Sequence, residues 1–416
     1  MSPMQHTAPE TVNTHAHASN DRLQSYWMAG FEGADHIDLR GMPLDMVACT
    51  GHADQLEGDY QRAAALGLTT VRESVGWRVC CPQTWRHRDF TRMLRAADAA
   101  ATHGVQVLWT LMHYGTPPDV RICDPDFAQH FAEFAADAAQ HLRQHIGVAS
   151  IYNPINEIGF LAWAMAGSHT VGGECTDRDG YSVKSRLVQA ALRGIDAISA
   201  ADSGAKFMHI EPLIHVVAPA DQPALAQAAA DFCGYQWQVW DMLSGRIAPE
   251  LGGTLAAIDW IGVNHYHDAQ WEIGTGQRLD WHTSDPRRLP FCELLQQAWH
   301  RYGVPLVVAE TSHFGEGRSR WLDDIAAQTQ QAMQRGVPVE GICLYPAVDR
   351  PGWNNLTHWH RSGLWDAIAP DSDDAAAAAP MARRLAADYA AALRRWQKRM
   401  GLQHGVRAHR VLSPIR

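Results

Sequence analysis

The sequence predicts a single-domain (β/α)8 TIM barrel, an α/β fold, with extended loops after the fourth and sixth strands. Three observations lead there. Eight short, nearly continuous apolar runs recur along the chain, and amphipathic stretches of helical period separate them. Several of those stretches end in glycine just before the next run, as helix C-termini do. Parallel strands covered by helices on one face and packed together on the other read in this way. Eight units with right-handed crossovers close into a barrel. An open doubly wound sheet would not require eight units, and no GxGxxG follows the first run, which removes the usual dinucleotide site.

The runs are 26–31 (YWMAGF), 69–75 (TTVRESV), 105–112 (VQVLWTLM), 148–156 (VASIYNPIN), 206–213 (KFMHIEPL), 258–266 (IDWIGVNHY), 304–310 (VPLVVAE) and 341–346 (GICLYP). Between them, 54–66 reads as a helix, and 126–145 sets Phe127, Phe131 and Phe134 at helical spacing. Gly67, Gly104, Gly303 and Gly336 stand where a C′ residue takes positive φ. Residues 381–400 read as the closing helix, with the alanine-rich 375–379 as helix cover before it. Two loops, 159–182 and 267–289, exceed the usual few residues and lie at the C-terminal face, where barrel chemistry sits. Residues 1–22 are expected to be a disordered polar tail, 23–400 the catalytic barrel and 401–416 a C-terminal tail.

The 416 residues are 46% hydrophobic and 19% charged, with a formal net charge of −10. Such a composition supports a large core, and the absence of a basic block argues against nucleic acid or an anionic membrane as partner. No apolar run reaches the ~18 residues a spanning helix needs. The first residues lack a basic start and an apolar core, so a cytoplasmic location is expected. Eight cysteines without a CxxC fit reduced thiols better than a disulfide framework. The HxH pairs His15/His17 and His358/His360 have no evident third ligand, so no metal and no cofactor are expected.

The polar residues ending the apolar runs carry the chemistry. In order they are Asp35 and His36, Arg72, His113, Asn156 with Glu157, Glu211, Asn264 with Tyr266, Glu310 and Asp349. Glu157 ends the fourth strand and Glu310 the seventh, which puts them across the mouth from one another. Two carboxyls on opposing walls suit a glycosidic bond, one at the anomeric carbon and the other protonating the leaving oxygen. The acid must keep its proton near neutrality, which burial and an anionic neighbour favour. The other must stay a carboxylate, and Arg72 and Tyr266 are placed to help. Strand alternation turns Arg72 inward and Glu73 outward. His113 and Asn156 are candidates to hold sugar hydroxyls, with Trp353, Trp163 and Trp271 as stacking platforms on mouth loops.

These segments resemble glycoside hydrolase clan A, most closely family 1, the β-glucosidase-like retaining enzymes. VRESVGWRVCCP is similar to the family's second-strand segment, TLMHYGTPPD to the third, IYNPINEIGF to the Asn-Glu-Pro motif, DWIGVNHY to the sixth-strand Asn-x-Tyr and VVAET to the nucleophile strand. The resemblance implies Glu157 as acid/base and Glu310 as nucleophile. It puts Arg72, Asn264 and Tyr266 around the nucleophile, with His113 and Asn156 on the sugar. The chain departs from the pattern at several places. Ile158 stands for the Pro after the acid/base, and Thr311-Ser312 for Asn-Gly. Tyr345 replaces a Trp, and the first-strand Gln is absent, with Asp35 or His36 nearby. Asp349 and Trp353 stand where an acidic and aromatic loop would be. Arg361 lacks the Ser-Lys-Tyr set that reads a 6-phosphate.

The expected function is therefore a retaining β-glycosidase, hydrolase or transglycosidase, acting on a small-molecule carbohydrate. Two other readings remain. One is a non-catalytic carbohydrate-binding barrel. The other is a metal-dependent amidohydrolase-type barrel using His209, His215, His265 and His267, although the first strand lacks the HxH that chemistry needs.

Overall fold

Eight parallel strands close into a ring in the computed structural model, which describes residues 22–168, 179–368 and 380–401. They are β1 (Trp27–Gly30), β2 (Thr70–Ser74), β3 (Gln106–Met112), β4 (Ile151–Ile155), β5 (Lys206–Pro212), β6 (Trp260–Asn264), β7 (Leu306–Thr311) and β8 (Val339–Leu344). Each pairs with its sequence neighbours, and β1 pairs with β8, so the ring has no free edge. The fold class read from the sequence is the fold observed. The expectations for the 1–21 tail, His15, His17, Cys175, 375–379 and 402–416 lie outside the described residues.

The main covering helices are α1 (His52–Ala65), α2 (Thr91–His103), α3 (Phe127–Ile146), α4 (Gly180–Ala201), α5 (Ala226–Tyr235), α6 (Phe291–Tyr302), α7 (Gly317–Gln334) and α8 (Ala387–Met400). Phe127, Phe131 and Phe134 of α3 close on Trp77, with ring centroids 5.4–5.7 Å apart. Gly67, Gly104, Gly303 and Gly336 all take positive φ. Inside the ring, Met28, Leu108, Ile151, Met208, Ile210, Val307 and Cys343 fill the cylinder below the mouth.

Arg72 and Glu73 divide as alternation requires. Glu73 faces the helix layer, where His52 joins it at 2.9 Å and Asp59 at 2.8 Å. Arg383 completes this buried network with two bonds to Asp59, and a third to the Thr50 carbonyl. That anchor corrects the expected final helix at its start: Ala382–Leu385 is a strand paired antiparallel with Trp365–Ile368, and the helix begins at Ala387.

The long loops also carry structure. After β4 come a short helix, Ile158–Trp163, and a π turn, Ala164–Ser168. After β6, Gln270–Glu272 pairs in parallel with His215–Val217, which follows β5. Six cysteines are free thiols, but Cys123 is disulfide-bonded, so the expectation of wholly reduced thiols is corrected there. Among the described residues, no helix is long and apolar enough to cross a membrane.

Candidate active site

The strand order puts β4 and β7 three steps apart, on facing walls of the ring. Glu310 belongs to β7 and Glu157 stands two residues past the end of β4; they are 4% and 8% exposed. Glu310 is gripped from two sides. Arg72 donates from Nη1 to its Oε1, and the Tyr266 hydroxyl donates to Oε2 at 2.6 Å. The same guanidinium donates from Nη2 to the Asn156 Oδ1 at 2.6 Å and from Nε to the Thr110 hydroxyl at 3.2 Å. It lies 5.1 Å from the Tyr345 ring centroid. Burial works against the Arg72 charge, but the adjacent Glu310 reverses this and raises its pKa further above the ordinary arginine value.

Glu157 has a different environment. Asn264 Nδ2 donates to its Oε1 at 2.7 Å, and the Tyr114 hydroxyl donates to Oε2. Burial first, then the Glu310 charge, pushes its pKa up to about 7, against the bonds from Tyr114 and Asn264 and the charge of Arg72. Backbone bonds fix its place: the Asn156 N–H donates to the Met112 carbonyl on β3, and the Glu157 N–H to the Ile210 carbonyl on β5, both at 3.0 Å. The chain leaves β4 through a left-handed turn at Glu157, with φ 44°.

Asn156 turns its amide nitrogen to the His113 Nε2 at 3.1 Å and to the Tyr114 hydroxyl at 3.2 Å. Burial, reinforced by Arg72, His36 and Arg350, holds His113 well below the usual histidine range, so it is neutral and accepts at Nε2. Asn264 stands in register with Glu310 in the sheet, as expected, but its side chain bonds to the other carboxyl. Its side chain serves Glu157 because it projects from β6 toward the β4 side, while Tyr266, two residues on, reaches Glu310.

The other predicted residues divide. His36, Tyr114, Phe160 and Trp353 form an aromatic cluster at the mouth, with His36 and Trp353 centroids 4.9 Å apart. Both His36 nitrogens, the Trp353 Nε1, the Asp35 Oδ2 and the Asn264 Oδ1 are buried with no protein partner among the described residues. Asp35 also accepts the Gly115 N–H at 2.9 Å, and burial pushes its pKa up to about 6. Trp163 is exposed next to Phe160, whereas Trp271 packs on Phe232 of α5. Asp349 is a loop anchor, accepting the Ser362 N–H at 2.8 Å.

The sequence reading missed Tyr114 and Glu32. Tyr114 was signalled only by its place after His113. Glu32, in GFEG just past β1, is buried, pairs with Arg350 at 2.9 Å and accepts the Ala34 N–H at 3.0 Å. The Tyr345 hydroxyl lies 3.4 Å from it. The histidines proposed as metal ligands are used otherwise. His209, His215 and His265 each donate to a backbone carbonyl, of Ala257, Arg287 and Leu213, and His267 packs on His313. Among the described residues, no cluster of three or more His, Cys, Asp or Glu side chains is arranged to hold a metal ion.

Fold and site together define a (β/α)8 barrel with paired carboxyls at the C-terminal mouth. No family model matches the chain. It is 22% identical over 380 residues to a β-galactosidase of Sulfolobus acidocaldarius, covering 72% of this chain and 77% of that one. Among solved structures, a β-glucosidase of Thermotoga maritima in complex with glucoimidazole superposes with a TM-score of 0.71 at 14% identity, over 90% of this chain and 98% of that one. The AHE enzyme of Alicyclobacillus herbarius gives 0.68 at 17% identity, over 91% and 98%. The chain has the fold of family 1 β-glucosidases, in keeping with the resemblance carried by its strand-end motifs.

Proposed function

We propose that the protein is a retaining β-glycosidase, acting by hydrolysis or transglycosylation on a small β-linked glycoside, with residues 23–400 as one catalytic unit. Glu310 attacks the anomeric carbon as the bond to the leaving oxygen breaks, and Glu157 gives its proton to that oxygen. A glycosyl ester on Glu310 results. Glu157, now a carboxylate, takes a proton from water or an acceptor hydroxyl, whose oxygen displaces Glu310 from the anomeric carbon. Arg72 and Tyr266 hold the nucleophile, and Asn156 and His113 line the sugar site. Asp35, His36 and Trp353 offer free polar atoms and ring faces to outer hydroxyls. No cofactor takes part.

One observation carries this reading: the two carboxyls share a buried mouth, each bonded by a phenol, but only Glu310 is bonded by a guanidinium. Glu310 receives a guanidinium and a phenol. Glu157 is held near pKa 7 by burial and by Glu310, where a general acid is useful at neutral pH. The test is incubation with a panel of activated 2-deoxy-2-fluoro-β-glycosides, read by intact mass and peptide mapping. An adduct on Glu310, absent in Glu310→Gln, is expected. No adduct with any member of the panel, despite measurable sugar binding, would replace the enzyme with a carbohydrate-binding barrel.

A further inference from the structure

Glu211 ends up beside the paired carboxyls without a part in the cycle above. It lies near the end of β5 and is 2% exposed. Its Oε2 accepts the Gly159 N–H at 2.8 Å, and the Ile158 N–H faces the carboxyl closely enough to favour its charged form. These amides immediately follow Glu157, at the start of the helix Ile158–Trp163. The neighbouring Ile210 carbonyl takes the N–H of Glu157 itself. Adjacent residues of β5 therefore bind the amides of Glu157 and Gly159 and face that of Ile158 between them. The approach is close, since a Cβ at Gly159 would stand 2.6 Å from the Glu211 Oε2. Ile158 also matters, because the proline of the resembling motif would have no N–H to offer at this position.

We propose that Glu211 is a positioning residue for Glu157, holding the left-handed turn that aims the Glu157 carboxyl between Asn264 and Tyr114. The role of Glu157 it serves rests on the glycosidase reading. Left-handed backbone at a residue with a side chain persists only where its surroundings enforce it, and the β5 bonds supply that enforcement. The charged groups bearing on Glu211 are Glu157 and, from α4, Lys184, whose Nζ is bonded to the Gln238 Oε1 at 2.8 Å. Burial first, with the Glu157 charge, pushes Glu211 up to about 8 against its bond from Gly159. At neutral pH it is a neutral acceptor, which glutamine can imitate.

The experiment compares Glu211→Ala, Glu211→Gln and wild type on two aryl β-glycosides. Dinitrophenolate leaves without a proton, whereas a simple phenol needs one from Glu157. In Glu211→Ala, kcat/KM for the phenyl substrate should fall roughly tenfold or more relative to the dinitrophenyl one. Glu211→Gln should keep the ratio within about twofold. Hydrogen exchange of the amides at 158 and 159 supplies a readout that needs no activity: faster in Glu211→Ala and unchanged in Glu211→Gln. Gly159→Ala, which crowds the same carboxyl, should reproduce the alanine effect. A wild-type leaving-group ratio with wild-type amide protection in Glu211→Ala would overturn the proposal, as would equal loss on both substrates. If wild type turns over no aryl glycoside, the glycosidase reading fails, and exchange alone still decides whether Glu211 holds the turn.

Discussion

Tyr114 and Glu157 are both held in left-handed backbone, with φ 82° and 44°, and the phenol of the first donates to the carboxyl of the second. For residues with large side chains such backbone costs about 1–3 kcal/mol each, and it persists where surrounding contacts over-determine it. Here the bonded pair sits at the mouth between β3 and β4. A phenol donating to a carboxyl favours the ionised form, so it works against the burial that raises Glu157. In Tyr114→Phe the alkaline limb of kcat/KM, expected near pH 7 in wild type, should move up by about 1 unit. A pH–rate profile on an aryl glycoside checks this, and a limb that stays put or falls would contradict it.

Arg72 ties the two walls together, reaching Glu310 with one nitrogen and Asn156, next to Glu157, with another. Arg72→Met should lower kcat by about 10²-fold or more, because the carboxylate that attacks loses its counter-charge in a buried site. It should also destabilise the fold by about 3–5 kcal/mol, the usual result of breaking one half of a buried ion pair. Thermal melts and steady-state kinetics on the same preparation check both. Arg72→Lys should restore stability better than rate, since an ammonium cannot serve Glu310, Asn156 and Thr110 in one plane.

The eight strands were legible because strands buried on both faces have a composition of their own, and because several units end in a glycine with positive φ. Asn156, Glu157, Tyr266 and Glu310 were legible because each stands at the end of an apolar run, and Arg72 because strand alternation turns it inward. What escaped was whatever depends on how loops fold over the mouth. Tyr114 owes its contact to a positive φ at a non-glycine residue, which the tyrosine itself does not advertise. Glu32 reads as an ordinary loop acid until Arg350, more than three hundred positions away, is seen against it. The strand at Ala382–Leu385 reads as helix because alanine and arginine favour helices, and only Asp59 across the structure gives Arg383 reason to extend.

Trp353 lies at the mouth, its indole N–H without a partner among the described residues, one face of the aromatic cluster formed with His36, Tyr114 and Phe160. It touches neither carboxyl in the hydrogen-bond network, so it should contribute to holding the sugar more than to breaking the bond. Trp353→Ala is expected to raise KM by about tenfold with kcat changed by less than about threefold. A loss confined to kcat would instead place the indole against the reacting centre.

Stability against pH should show the raised carboxyls directly. Glu157 at about 7 and Glu211 at about 8 bind their protons more tightly in the folded state. Their contribution is fully present below the unfolded value of about 4.5 and is lost as pH climbs through the folded values. His52 acts in the same direction: despite burial, Glu73 and Asp59 raise it to about 9, and its stabilisation fades as pH rises through that value. The neutral His209 and His265, lowered by burial to about 4, matter on the other side, stabilising above the ordinary 6.5 and losing that as pH falls. Between pH 6.5 and 9 the first set dominates, so Tm should decline across that interval. Glu211→Gln removes one titrating group and should recover about 1–2 kcal/mol of the decline between those pH values. Denaturant titrations of both proteins at pH 6.5 and pH 9 measure it, and identical slopes would mean that Glu211 is already ionised at neutrality.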